Sequence, residues 1–154
     1  MSVITAVGTS SSSNVGVLRR LLRRQTAGRV VGVGVDLVEI DAVAATLDSA
    51  LSGRYLSRVY TPAELRDCTD ASGVNAGRLA ARFAAKEAVM KALDVGNRAI
   101  PWRTIEVRRR RSGRPTILLH GAAAAIAREE GIARFALSLS HEANYASAFV
   151  VATS

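Results

Sequence analysis

Aromatic residues are scarce, at 5% of the chain, and there are one cysteine, Cys68, and three prolines. A lone cysteine excludes an internal disulfide framework and any multi-cysteine zinc or iron–sulfur site, and it suits the reducing setting of a cytoplasmic protein. The shortage of aromatics leaves stacking platforms for single-stranded nucleic acid poorly supplied. No run approaches the ~20 apolar residues that a membrane-spanning helix needs, so the chain reads as soluble, with no membrane partner. Two motifs are also missing. The glycines around Val33 form no GxGxxG that continues into a helix, so they do not match a dinucleotide fingerprint. Ser138-Leu139-Ser140-His141 has no nucleophile-elbow pattern, which weakens a serine-hydrolase triad.

What is present suffices for one folded domain. The chain has 154 residues, of which 49% are hydrophobic, and a chain of this size buries roughly 70% of the surface that its unfolded form exposes. Cations outnumber acids, 21 against 13, for a net charge of +8. Such a surplus steers a protein toward nucleic acid, phosphorylated small molecules, anionic membrane or an acidic protein, without choosing among them.

Residues 1–29 differ from the rest. They hold a serine run at Ser10–Ser13, then VLRRLLRR from Val17 to Arg24, and no acid occurs before Asp36. Arg-rich, Ser-rich and acid-poor describes a transit peptide, and Leu18, Leu21 and Leu22 beside four arginines describe a basic amphipathic helix equally well. The plainer reading is a flexible or weakly helical N-terminal extension ahead of a folded domain over 30–154. A secretory signal is disfavoured because its apolar core is missing.

The folded part opens with VVGVGVD, where Val31, Val33 and Val35 alternate with Gly32 and Gly34, a strand pattern. Asp41 to Leu51 suits a helix. Thr61-Pro62-Ala63-Glu64 carries a cap, a proline at the first helical position and an acid at the third, which starts a short helix reaching about Cys68. Asp70 to Gly77 reads as a loop. Arg78 to Leu93 has no Gly or Pro and is made of strong helix formers, so it is the longest helix expected. Ile105–Arg109 and Thr116–Leu119 flank a Ser112-Gly113 turn as a hairpin, and Gly121 to Glu130 is another Ala-rich helix. A strand through Phe135, Leu137 and Leu139 breaks at His141–Asn144 and returns as Tyr145–Val151. This order gives an α+β fold.

Few residues carry chemistry. Asp36 ends the first strand, where a carboxylate can reach a crevice, although a helix cap or a solvated acid would look the same. Glu87 is more telling, because Leu79, Phe83, Glu87 and Met90 share a helical stripe and an acid there is costly unless paired or metal-bound. Lys91, four residues on, makes a routine helix pair with Glu87 in the bland reading. Arg82 and Lys86 also lie within about a turn of Glu87. Two carboxylates ringed by such cations would hold a hard divalent ion on a diphosphate. His141 is by default a structural hydrogen-bonder, Gly113-Arg114-Pro115 a turn, and Arg108–Arg111 a solvated edge that could also clamp a nucleic-acid backbone. A basic nucleic-acid-binding module is therefore the alternative reading.

In order along the chain, GVGVDLVEI (Gly32–Ile40), RFAAKEAVMKAL (Arg82–Leu93), GRP (Gly113–Pro115) and SLSHE followed by an apolar strand (Ser138–Val151) resemble the holo-acyl-carrier-protein synthases. These are the small, trimeric 4′-phosphopantetheinyl transferases. The resemblance implies their fold, an antiparallel sheet packed on a long central helix. It implies a cytoplasmic enzyme of lipid and fatty acid biosynthesis that moves 4′-phosphopantetheine from coenzyme A to a serine of an acidic apo acyl carrier protein, with magnesium, releasing adenosine 3′,5′-bisphosphate. Asp36 and Glu87 would then be the magnesium ligands, and Lys91 the lysine near the transferred phosphate. Arg82 and His141 would contact coenzyme A, and Gly113, Arg114 and Pro115 would line the nucleotide site from the neighbouring subunit of a homotrimer. Glu87, or a metal-bound water that it orients, is the candidate base. Two departures stand out. Ala42 replaces an arginine with which the family commonly meets its carrier, leaving Arg54 and Arg58 as candidates for that contact. The glycine-rich turn after the long helix is here Asp94-Val95-Gly96-Asn97.

Overall fold

The computed structural model describes residues 28–96 and 98–154. The extension read over residues 1–29 therefore lies, save for Gly28 and Arg29, outside the described residues. Strand β1 (Val30–Glu39) leads directly into helix α1 (Ile40–Leu47), followed by α2 (Ser52–Val59) and α3 (Pro62–Cys68). Two-residue strands β2 (Thr69–Asp70) and β3 (Gly73–Val74) precede the long helix α4 (Ala76–Ala92). A hairpin of β4 (Ile105–Arg109) and β5 (Pro115–Leu119), helix α5 (Gly121–Glu129), and the strands β6 (Arg134–Glu142) and β7 (Tyr145–Thr153) complete the chain. The α+β expectation, an antiparallel sheet on a long helix, is what the chain adopts.

The main sheet has the order β1-β7-β6, antiparallel throughout. Its register aligns Gly32, Ala152 and Phe135 across the strands, then Gly34, Val150 and Leu137, then Asp36, Ala148 and Leu139, then Val38, Ala146 and His141. Because side chains alternate along a strand, these residues share the face that meets α4. The inward residues of β7, Ala146, Ala148, Val150 and Ala152, are all buried. On the helix, Ala84, Ala85, Ala88 and Ala92 are buried against them.

This packing is close because Gly32 and Gly34 have no side chains. A Cβ at Gly32 would stand 2.0 Å from the Ala92 carbonyl oxygen, and one at Gly34 would stand 1.8 Å from that of Ala88. Backbone thus meets backbone, and β1 runs past the C-terminal half of α4. The other sheet face is apolar yet open, with Val33, Val35, Leu37 and Phe149 each about half exposed.

Several boundaries differ from the sequence reading. The helix expected over Asp41–Leu51 stops at Leu47, and α2, whose Gly53 and Ser57 weaken its local signal, was not anticipated. The loop expected at Asp70–Gly77 holds the β2–β3 pairing and the start of α4, capped by Asn75 Oδ1 accepting from the Arg78 N–H at 2.9 Å. Strand β6 continues through His141 because that residue pairs with Ala146, which narrows the break to Ala143–Asn144. The Thr61–Glu64 capping box forms in both directions.

Gly34→Ala is expected to destabilise the fold by about 3 kcal/mol or more, since the clash is with backbone that cannot step aside. Gly53→Ala, with nothing within 4 Å, serves as the control and should be neutral or stabilising by up to ~1 kcal/mol. Thermal denaturation of the two variants checks the contrast.

Candidate active site

The glycine face that seats β1 on α4 also aims Asp36 at the helix, two residues beyond Gly34 on the same side of the strand. There Lys91 Nζ donates to Asp36 Oδ1 at 2.8 Å and to the Val35 carbonyl at 2.9 Å. Lys91 therefore bonds across to the strand rather than to Glu87, its expected partner along the helix. The Asp36 side chain is 17% exposed and that of Lys91 51% exposed. Glu87 completes the group. Burial, then the nearby Asp36 carboxylate, push its carboxyl above the usual range, with Lys91 opposing. Two acids and one ammonium thus converge where the first strand meets the long helix.

Glu87 lies at the border of the buried helix face rather than at its centre. Leu79 is buried whereas Phe83, Glu87 and Met90 are partly exposed, so the acid can face both strand and solvent. No group of three or more His, Cys, Asp or Glu side chains suited to a metal ion occurs among the described residues. Two carboxylates alone do not make a closed cage. They do suit magnesium, which keeps several waters and takes one or two carboxylates together with phosphate oxygens from a substrate.

The other candidate residues fall into separate places. Arg82 is buried, with its guanidinium 3.7 Å from Asp67 and donating to the Arg78 carbonyl at 3.3 Å, while its Nε has no partner among the described residues. Lys86 is fully buried and does not stand beside Glu87 as a site cation. It pairs with Glu64 at 2.9 Å and donates to the carbonyls of Trp102 and Ile105. Nothing in the sequence flagged that pair, because Glu64 was already accounted for as a cap. His141 lies on the inner sheet face at the first turn of α4, its Cδ2 3.9 Å from where a Cβ of Gly77 would be. The Gly113–Pro115 turn, with Gly113 at φ +81°, bonds within its own hairpin.

Arg114 and Pro115 also line a groove of about 1020 Å³ between the hairpin, α5 and β6. Arg110, Arg128 and Arg134 line it with them, over a floor that includes Ile117, Leu119 and Leu137. Sequence reading missed this groove, since its arginines come from three elements. Of the Arg108–Arg111 run, Arg108 is paired with Glu106, and Arg109 and Arg110 bond within the hairpin.

Comparison with known proteins gives a consistent result. Residues 32–150 match the family model of the 4′-phosphopantetheinyl transferase superfamily. The chain is similar to the holo-[acyl-carrier-protein] synthase of Koribacter versatilis, 45% identical over 79% of this chain and 97% of the relative. It is 43% identical to that of Moorella thermoacetica, over 79% and 92%. Among solved structures, the holo-[acyl-carrier-protein] synthase of Neisseria meningitidis superposes with a TM-score of 0.72 at 33% identity, covering 82% of this chain and all of the other. That of Helicobacter pylori in complex with coenzyme A gives 0.68 at 28% identity, covering 79% and 99%.

The raised affinity of Glu87 for its proton predicts a pH signature. Between the usual carboxylate range and the raised native value, the folded chain holds a proton that the unfolded chain has released, so stability falls as pH rises through that interval. In metal-free buffer, Glu87→Gln is expected to raise the melting temperature at neutral pH, and the gain should vanish in acid, where Glu87 is itself protonated. Melting curves across pH check this, and a variant less stable than the parent at neutral pH would contradict it.

Proposed function

The chain belongs to the 4′-phosphopantetheinyl transferase superfamily and is a holo-[acyl-carrier-protein] synthase by kind, and from that premise we propose how its residues carry out the transfer. Asp36, Glu87 and Lys91 receive the diphosphate of coenzyme A. The convergence of these three side chains, drawn from two elements far apart in sequence, is the observation that carries the reading. Asp36 and Glu87 would hold magnesium, which when bound neutralises diphosphate charge. Lys91, half exposed on a flexible stem, leaves Asp36 for a phosphate oxygen of the transferred group.

A serine hydroxyl of the carrier attacks the β-phosphorus, forming one P–O bond as the bridging P–O bond breaks and adenosine 3′,5′-bisphosphate departs. Glu87, directly or through a water that it orients, takes the hydroxyl proton. The chemistry asks chiefly for in-line placement and charge neutralisation, which these three residues supply. Arg82 and His141, on the N-terminal half of α4 and beside it, are read as contacts for the nucleotide end of the donor. Gly113, Arg114 and Pro115 are read as the contribution of a neighbouring subunit, where the arginine-lined groove suits the donor's phosphates.

The half-exposed apolar sheet face of Val33, Val35, Leu37 and Phe149 supports a homotrimer with active sites between subunits. The carrier is acidic, and the +8 charge of the chain favours its approach. Arg54 and Arg58, one turn apart on α2, are exposed and have no ion pair among the described residues. They are the proposed substitute for the arginine absent at Ala42. No helix among the described residues is long and apolar enough to cross a membrane, and the free, buried Cys68 thiol suits the cytoplasmic setting included in this reading.

Incubation of the protein with coenzyme A, magnesium and an apo acyl carrier protein is expected to add the phosphopantetheine mass to the carrier's serine, read by mass spectrometry. Asp36→Ala and Glu87→Ala should each lower the rate by at least about a hundredfold while folding normally, and turnover near that of the parent in either would refute the assignment. Charge reversal of both Arg54 and Arg58 should raise the KM for the carrier by about tenfold with little change in kcat, and an unchanged KM would end that part of the reading.

A further inference from the structure

The chain has 21 cationic side chains and only two of them, Lys86 and Lys91, are lysines. Both lie on α4 and they bracket Glu87. Lys91 is at the site already described. Lys86 is fully buried, and its three ammonium protons are met by Glu64 Oε2 at 2.9 Å, the Trp102 carbonyl at 3.2 Å and the Ile105 carbonyl. Three acceptors around one point suit a compact ammonium and not the planar fork of arginine. Glu64 is equally committed, accepting from the Thr61 N–H at 2.8 Å and from the Val107 N–H at 2.8 Å. Neither side chain is exposed at all.

The placement of these bonds matters. Among the described residues, strand β4 is paired on one edge only, with β5. On its other edge the Ile105 carbonyl and the Val107 N–H would lie buried without partners, and Lys86 and Glu64 satisfy them as a neighbouring strand would. One ion pair therefore joins the cap of α3, the middle of α4 and the open edge of the β4–β5 hairpin. Successive helical residues point about 100° apart, so pinning Lys86 sets where Glu87 points.

We propose that the Glu64–Lys86 pair is a positioning device for the active site, holding Glu87 at the angle that faces Asp36 and fixing the hairpin that carries Gly113–Pro115. The inference rests on the reading of Asp36 and Glu87 as metal ligands. It assigns no contact with substrate to either residue; both act through Glu87 and the hairpin. Buried pairs of this kind add little net stability over neutral residues of similar volume, so a role in geometry accounts for the pair better than a role in stability.

The test uses the full chain and the double variant Glu64→Gln with Lys86→Met, which removes both charges together so that neither ion is left unpaired, while the Trp102 and Ile105 carbonyls lose their donor. Mn²⁺ is titrated by electron paramagnetic resonance in the presence of coenzyme A, and carrier modification is followed separately. The double variant should melt cooperatively, bind Mn²⁺ at least about tenfold more weakly and lose at least about tenfold in kcat, as expected when support behind a metal ligand is lost. The KM for the carrier should be unchanged. A cooperatively melting double variant with Mn²⁺ affinity and kcat equal to the parent's would overturn the proposal. Should the double variant fail to fold, Glu64→Asp decides, because its shorter reach keeps the charge while loosening the tie: weaker Mn²⁺ binding supports positioning, and parental binding overturns it. Absence of Mn²⁺ binding in the parent itself would sink the metal-site reading instead.

Discussion

The distance between β1 and α4 is set by two missing side chains. Gly32 and Gly34 let the strand lie directly on the carbonyls of Ala92 and Ala88, and the alanines of the helix and of β7 keep the rest of the interface equally thin. Asp36 inherits its position from this contact, since it lies on the same face one register step further along. A carboxylate is a short side chain, so a helix seated a few ångström further from the strand would put Glu87 and Lys91 out of its reach. Close packing is here the means by which two acids from distant parts of the sequence come to share one local field.

A thin interface fixes separation but not rotation. Alanine offers little to stop a helix from rolling on a smooth sheet, and the side chains around α4 that resist rolling include the Phe83–Trp102 stack and several polar groups. Tyr60 donates to the Leu79 carbonyl at 3.1 Å, Arg82 is held toward Asp67, and Lys86 is tied to Glu64 and to β4. Such groups are costly to bury unless every bond is made. Around Lys86 every bond is made. The apolar surfaces therefore supply the driving force, and a few polar groups, of which the Lys86 cluster is fully satisfied, help to select one orientation.

Much of this was legible in the sequence, and the reasons are local. The long helix followed from a run free of Gly and Pro, α3 from its capping box, and the hairpins from alternation around Gly113 and before His141. Asp36 and Glu87 stood out because one was expected at the end of a strand, which in fact runs on to Glu39 with Asp36 paired inside it, and the other interrupted an apolar stripe. Resemblance to a family ordered these pieces and supplied their roles. What stayed hidden depended on contacts between distant residues. Lys86 sits one position from Glu87 and looks like another site cation, yet a helix turns through about 100° per residue and carries it into the core. The bond of Lys91 to Asp36 displaces the bland reading of a helix pair with Glu87, because spacing along a helix says nothing of a strand packed across it. The arginine-lined groove has no linear signature, since Arg110, Arg128 and Arg134 come from three elements.

The ion pair between Lys91 and Asp36 is best understood as one that is easily broken. Its lysine is half exposed although its acid is mostly buried, so solvent reaches the ammonium and weakens this pair relative to a fully buried one. Lys91 can therefore leave Asp36 at small cost when a stronger anion arrives, whereas Lys86, fully buried, cannot leave Glu64 without stranding two charges. The same residue type thus serves opposite purposes five positions apart on one helix. Burial decides which lysine is fixed and which is free to move, and the free one stands beside the two carboxylates. Lys91 drawn to Asp36, and a Glu87 that holds its proton more tightly than an ordinary glutamate, both soften the charge of the two neighbouring carboxylates. On the reading proposed above, a bound cation and diphosphate would take over that task and free Lys91 for a phosphate oxygen. Interactions that are weak within the fold itself would thereby be available to a bound donor.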